Sequence, residues 1–143
     1  MTIKQLSVFV ENRPGKLSAV TRLFGDNKID IRAMSIADTK DFGILRLIVN
    51  DPEKALEILK ENDYPVTITN VIAIGVDDAP GGLAGAMEAL YENNIGLEYM
   101  YAFVSKTENT AYVVFRVENN EKALEALTEK GYEALTASDL YDM

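Results

Sequence analysis

Pro-Gly occurs twice in this chain, at Pro14-Gly15 and Pro80-Gly81, 66 residues apart, each time between an alternating apolar run and a helical apolar stripe. The spacing extends well beyond the dipeptide. At an offset of 66, Leu17 matches Leu83, Val20 matches Ala86, Asn27 matches Asn93, Ile29 matches Ile95, Ile31 matches Leu97 and Met34 matches Met100. Later the offset becomes 68: Glu53-Lys54-Ala55-Leu56-Glu57 returns as Glu121-Lys122-Ala123-Leu124-Glu125, and Tyr64 as Tyr132. The second copy therefore carries a turn two residues longer, around Ser105 to Asn109. A repeat kept over this length demands two similar folding units rather than one irregular one.

Within the first copy, Ile3–Val10 reads as a strand, with Leu6, Val8 and Val10 on one face. Lys16–Asp26 reads as a helix on Leu17, Val20, Leu23 and Phe24. Ile29–Asp38 alternates again, with Ile29, Ile31, Ala33 and Ser35 against Arg32, Met34 and Ile36. Thr39–Asp41 is a polar turn and Phe42–Asn50 a third strand. Asp51-Pro52-Glu53 supplies a cap, a first-turn proline and an acid at the positive end of a second helix. Pro65 releases a fourth strand, Val66–Thr69, and Asn70 breaks it from the next, Val71–Val76. The fold class expected is α+β: two ferredoxin-like βαββαβ repeats, antiparallel sheets with helices on one face, divided as residues 1–70 and 71–143.

One face of each sheet is then left without helices. The alternation assigns Phe9, Met34, Ile36, Ile44 and Ile48, with Arg32 and Arg46, to that face in the first copy. In the second it assigns Val71, Ala73, Met100, Ala102, Tyr112 and Val114, with Arg116. Surfaces this apolar seek a partner, so a homodimer through the open faces is expected.

The strand-to-helix turn Asn12-Arg13-Pro14-Gly15-Lys16-Leu17 is the candidate binding element. Asn12 reads as the helix cap, Pro14 as a residue preset for the first turn, and Gly15 as a point of close approach. The N–H groups of Gly15, Lys16 and Leu17 would then face an anion such as a carboxylate. Asp78-Ala79-Pro80-Gly81-Gly82-Leu83 repeats the device with acids in place of bases, so the two turns are not equivalent.

Composition narrows the chemistry. The 143 residues include neither cysteine nor histidine, which excludes disulfides, thiol nucleophiles, the commonest general base and the commonest metal ligand. Residues 1–74 balance ten Lys/Arg against ten Asp/Glu, whereas residues 75–143 set four against thirteen and carry the whole net charge of −9. Such a chain is a poor partner for nucleic acid or an anionic membrane. No apolar run approaches the roughly 18 residues of a membrane span, and no signal-peptide pattern follows Met1, so a cytoplasmic protein is expected. No phosphate loop or dinucleotide fingerprint is present. A ferredoxin-like acyl-phosphate hydrolase would need an Arg cradle in its first turn and an Asn positioned for water; Arg13 and Asn12 sit in the first turn, but the glycine-rich cradle is absent. Asp77-Asp78 are two adjacent acids without further spaced ligands, so neither metal nor cofactor is expected, and the chain does not read as an enzyme.

A strand, then Asn/Asp-x-Pro-Gly-x-Leu, then a helix, an Asn and a second strand resembles the ACT domain. Asn12, Pro14, Gly15 and Leu17 carry the pattern in copy one, and Asp78, Pro80, Gly81 and Leu83 in copy two. The resemblance spans the chain as two tandem copies. It implies a βαββαβ module that senses a small molecule, most often an amino acid, and regulates a metabolic enzyme. It also implies ligand sites where the first turn of one copy meets the second strand of its neighbour. Carried over, one site would set Asn12 to Leu17 against Tyr99, Met100, Tyr101 and Ala102, and the other Asp78 to Leu83 against Met34, Ser35 and Ile36. Of Tyr99 and Tyr101, one is expected to face the core and the other the ligand. The Arg13/Lys16 turn is expected to make the tight site. The alternative is a ligand-free dimerisation subunit of an amino-acid metabolic enzyme.

Overall fold

The computed structural model describes residues 1–38, 41–103 and 107–141, the side chain of Asp38 excepted. Of the expected turns, Thr39-Lys40 and Ser105-Lys106 lie outside the described residues. The elements follow in the order β1 (Ile3–Glu11), α1 (Lys16–Asp26), β2 (Ile31–Asp38), β3 (Phe42–Val49), α2 (Pro52–Glu61), β4 (Val66–Asp77), α3 (Gly82–Glu92), β5 (Leu97–Phe103), β6 (Thr110–Val117), α4 (Asn120–Glu129) and α5 (Ala137–Tyr141). They are the α+β repeats that the periodicities predict. Asn70, however, does not break the chain: β4 runs through it for 12 residues. Its β-branched neighbours favour continued extension, and its carbonyl accepts from Arg116 Nη1 at 3.3 Å and Asn120 Nδ2 at 3.2 Å.

The chain forms two compact units. The first holds Lys4–Thr69 together with Leu140 and Tyr141. Its strands lie in the order β2-β3-β1-β4, with the Val66–Thr69 part of β4 at the end. β1 and β3 pair antiparallel with Leu6 opposite Leu47 and Phe9 opposite Ile44. Leu6, Val8, Val10, Leu45, Leu47 and Val49 meet Val20 and Phe24 of α1 and Ala55, Ile58 and Leu59 of α2 in one buried cluster. Fully burying each large apolar side chain contributes about 1.5–3 kcal/mol, so this cluster is the main source of the unit's stability.

The second unit holds Met1–Ile3 and Asn70–Asp139. Its strands run β4-β6-β5, and Ile72, Ile74, Val76, Val113, Phe115 and Val117 pack on Ala86, Ala89 and Leu90 of α3 and Ala123 and Leu127 of α4. The fourth strand of this repeat is reduced to a single bridge between Ala134 and Ile74, framed by Gly75 N–H to the Glu133 carbonyl and Leu135 N–H to the Ala73 carbonyl. Glu133-Ala134-Leu135 has no β-branched residue, and Thr136 and Asp139 cap each other's backbone to start α5 at once.

Both edge strands contain a bulge that the alternation did not reveal. The register with β3 shifts between Ile31 and Ala33, and that with β6 between Leu97 and Tyr99, the equivalent place in the repeat. A bulge adds one residue and moves every later side chain to the other face. Ala33, Ser35 and Ala37 therefore pair with Ile48, Arg46 and Ile44 on the helix-free face. Met34 and Ile36, opposite Leu47 and Leu45, stand on the helix side, contrary to expectation, and are 41% and 50% exposed. Met100 and Ala102, opposite Phe115 and Val113, are corrected in the same way. Tyr99 and Tyr101, opposite Arg116 and Val114, share the helix-free face, so neither enters the core. They are two apart, which is one strand period.

The helix-free faces are also less open than expected, because Ile48, Val71, Ala73 and Val114 are fully buried within the chain. In the first unit, Tyr141 is bonded to β1 and β2. Its phenolic oxygen accepts from the Lys4 N–H at 3.3 Å and its carbonyl from Arg32 Nη2 at 3.0 Å. Gln5, Ile48, Ala33 and Leu140 are buried as well.

Candidate functional site

The turn between β1 and α1 is built from three backbone bonds. Asn12 N–H donates to the Asp41 carbonyl at 3.2 Å, Arg13 N–H to Glu11 at 2.8 Å, and Lys16 N–H to Arg13 at 3.2 Å. The turn between β4 and α3 repeats them: Asp78 N–H to Asn109 at 2.9 Å, Ala79 N–H to Asp77 at 2.9 Å, and Gly82 N–H to Ala79 at 3.0 Å. Gly15 and Gly81 precede their helices with φ of 86° and 85°. That left-handed backbone is what requires glycine there. A Cβ on Gly15 would meet nothing within 4 Å, so close approach is not its reason. Asn12 does not cap α1. Gly15 holds the cap position and no side chain caps it. Nor is the Lys16 N–H offered to a ligand, since Arg13 takes it.

In each unit this turn faces the far end of that unit's own edge strand, and a cleft opens between them. In the first unit the cleft measures about 250 Å³ and is lined by Val10, Glu11, Asn12, Arg13, Leu17, Ile36 and Gly43. Arg13 is exposed, and its Nη2 pairs with Glu11 Oε2 at 2.6 Å across the mouth. Apolar Val10, Leu17 and Ile36 form the wall, so the cleft joins one apolar side to the Arg13–Glu11 ion pair. In the second unit the cleft measures about 500 Å³ and is lined by Asp78, Ala102, Phe103, Thr107, Glu108, Asn109, Thr110 and Ala111.

Of the residues expected to bind, the structure brings Asn12, Arg13, Leu17 and Ile36 together in one cleft and sets Asp78 in the other. Pro14, Gly15, Ala79, Pro80 and Gly81 shape the turns from exposed positions, while Lys16 and Gly82 are half-buried at the helix starts. Leu83 packs on the core, and Ser35 stands beside Arg46 on the helix-free face. Sequence reasoning missed Glu11 and Gly43 in the first cleft and Phe103 and the 107–111 segment in the second. The two-residue lengthening of the second turn was the available signal for the latter. Among the described residues no group of acids is gathered to hold a metal, and no helix is long and apolar enough to cross a membrane.

Comparison with known proteins settles the family. A family model described as an ACT domain pair matches residues 1–143. The chain belongs to the ACT domain pair family. Among solved structures, protein BT0572 from Bacteroides thetaiotaomicron is 44% identical, with a TM-score of 0.93 over 100% of this chain and 98% of that one. The regulatory subunit of aspartate kinase from Thermus thermophilus, in its ligand-free form, is 17% identical with a TM-score of 0.63, covering 91% and 93% of the two chains. The regulatory subunit of aspartate kinase from Thermus flavus is 15% identical with a TM-score of 0.62, covering 88% and 90%. At these identities the Thermus proteins share the ACT pair's fold. No curated protein matches the chain in sequence.

Proposed function

We propose that this ACT domain pair is a cytoplasmic regulatory protein that binds an L-amino acid and has no catalytic activity of its own. The observation that carries the reading is the cleft at the start of α1, which joins an apolar wall of Val10, Leu17 and Ile36 to the Arg13 guanidinium. An amino acid with an apolar side chain fits this chemistry: the guanidinium takes the carboxylate and the wall takes the side chain. Asn12 and Lys16 flank the same turn, and the Asp78–Leu83 turn is its weaker counterpart. The two Thermus proteins of this fold are regulatory subunits of aspartate kinase, in keeping with this reading. The protein works as a homodimer, for which Phe9 and Phe42 offer exposed apolar surface. It passes ligand occupancy to a metabolic enzyme by shifting the population of its conformers.

The test is thermal unfolding against a panel of L-amino acids at millimolar concentration. A ligand at one hundred times its Kd adds about 2.7 kcal/mol to the native state, so one or a few related amino acids should raise Tm clearly. Arg13→Ala should abolish that rise while leaving the unliganded Tm in place, because its ion pair with Glu11 is exposed. A flat panel would sink the sensor reading. The exposed Phe9 and Phe42 would then favour the second reading, a ligand-free dimerisation subunit.

A further inference from the structure

Glu11 and Arg13 flank a three-residue turn, closed by the Arg13 N–H on the Glu11 carbonyl at 2.8 Å. Their side chains meet at the mouth of the first cleft, where Arg13 Nη2 lies 2.6 Å from Glu11 Oε2. That contact uses one nitrogen of the guanidinium and one oxygen of the carboxylate, and each group has more donors or lone pairs than that. Both side chains are more than half exposed, so the pair adds little to stability and costs little to rearrange. Val10, Leu17 and Ile36 line the same cleft.

The second repeat keeps the turn but not the two charges. Ala79 N–H donates to the Asp77 carbonyl at 2.9 Å, yet at the offset of 66 Glu11 becomes Asp77 and Arg13 becomes Ala79. The turn therefore forms without an arginine, and the Glu11–Arg13 pair is not what holds it.

We propose that Glu11 and Arg13 together read the two charges of an α-amino acid: Arg13 takes the carboxylate, and Glu11 takes the ammonium and so excludes acids that lack one. An α-amino acid carries both charges and its side chain on a single carbon. The pair can grip the charged head while the side chain lies on Val10, Leu17 and Ile36. A 2-oxo acid with the same side chain brings only the carboxylate, which meets the like charge of Glu11 beside Arg13. The decarboxylated amine brings only the ammonium, which meets the guanidinium. This rests on the reading that the first cleft is an amino-acid site, and it adds which group sets the selectivity.

The experiment is calorimetric titration of the full chain with L-valine, L-leucine, L-isoleucine and L-phenylalanine, each beside its 2-oxo acid and its decarboxylated amine. At least one amino acid should bind wild type about tenfold more tightly than either analogue, since each analogue forfeits a charge-assisted bond. Glu11→Gln should weaken that amino acid about tenfold without weakening its 2-oxo acid, which erases the preference between them. Arg13→Gln should weaken the amino acid and erase its preference over the amine. Both residues are exposed, so unchanged unfolding midpoints will show that the variants fold. An analogue that binds wild type as well as its amino acid, or a Glu11→Gln protein that keeps the wild-type preference, would overturn the role of Glu11 and leave the amino-acid reading standing. Silence from all four amino acids would overturn both.

Discussion

The carbonyl oxygen of Asp77 occupies the space where a side chain on Gly82 would begin: an ideal Cβ there would lie 1.9 Å from it. In the first repeat the same position is Lys16, so the two turns share their hydrogen bonds but not their tightness. The first turn of α3 is also closed by an i to i+3 bond, Ala84 N–H to Gly81, where α1 uses the i to i+4 bond Ala19 N–H to Gly15. Gly82→Ala must displace backbone and should cost about 3 kcal/mol. Gly15→Ala meets no atom and is penalised only for its left-handed φ, by about 1–2 kcal/mol. Urea denaturation of the two variants should show that order, and equal losses would contradict the difference between the turns.

Helices α2 and α4 are capped where α1 and α3 are not. Asp51 Oδ1 accepts the Lys54 N–H at 3.2 Å and Asn119 Oδ1 the Lys122 N–H at 3.0 Å. Asp51→Ala and Asn119→Ala should each lower stability by about 1 kcal/mol, read as a lower denaturation midpoint with an unchanged slope.

With no histidine, stability should be flat through neutral pH and fall at both extremes. The hydrogen bond from Lys4 holds Glu53 below its ordinary 4.5, and the bonds from Thr136 hold Asp139 below 3.8. Depressed carboxylates stabilise the fold above their unfolded values and lose that contribution as pH falls through the folded ones. Glu53 in turn holds Lys4 above 10.5, and burial pushes Tyr141 above 10.0. Raised groups stabilise below their unfolded values and lose the contribution as pH rises through the folded ones. Denaturation midpoints at pH 3, 7 and 11 should therefore be highest at pH 7. Glu53→Gln should reduce both the acid and the alkaline loss, since it removes the depressed carboxylate and with it the partner that raises Lys4.

The C-terminal residues are part of the first unit's structure. Leu140 is fully buried, and Leu140→Ala should cost about 3 kcal/mol. Tyr141→Phe deletes only the oxygen that accepts the Lys4 N–H and should cost about 1 kcal/mol. Thermal unfolding will rank the two, and a harmless Leu140→Ala would show that the tail is not docked in solution.

How far the sequence could be read depended on whether the deciding interaction was local. The helix starting at Asp51-Pro52-Glu53 was legible because cap, proline and acid are adjacent. The strands were legible because Leu6, Val8 and Val10 alternate within one segment. Asn12 misled because its residue type suits a cap, yet the backbone at Gly15 turns left-handed before the helix begins. The faces of Met34 and Met100 misled because a bulge is set by pairing with a strand ten or more residues away. The first cleft was half legible. Asn12, Arg13 and Leu17 lie in one motif, whereas Gly43 arrives from β3.

By itself the sequence determined the duplication, the element order and the helix-packing stripes, since these follow from periodicities of two and 3.6 residues acting within each segment. Tertiary structure decided which face the edge strands present beyond their bulges, the reduction of the last strand to one bridge, the burial of Ile48 and Leu140, and which residues meet in each cleft. Each depends on groups far apart in the chain being brought together, where register and packing override local pattern.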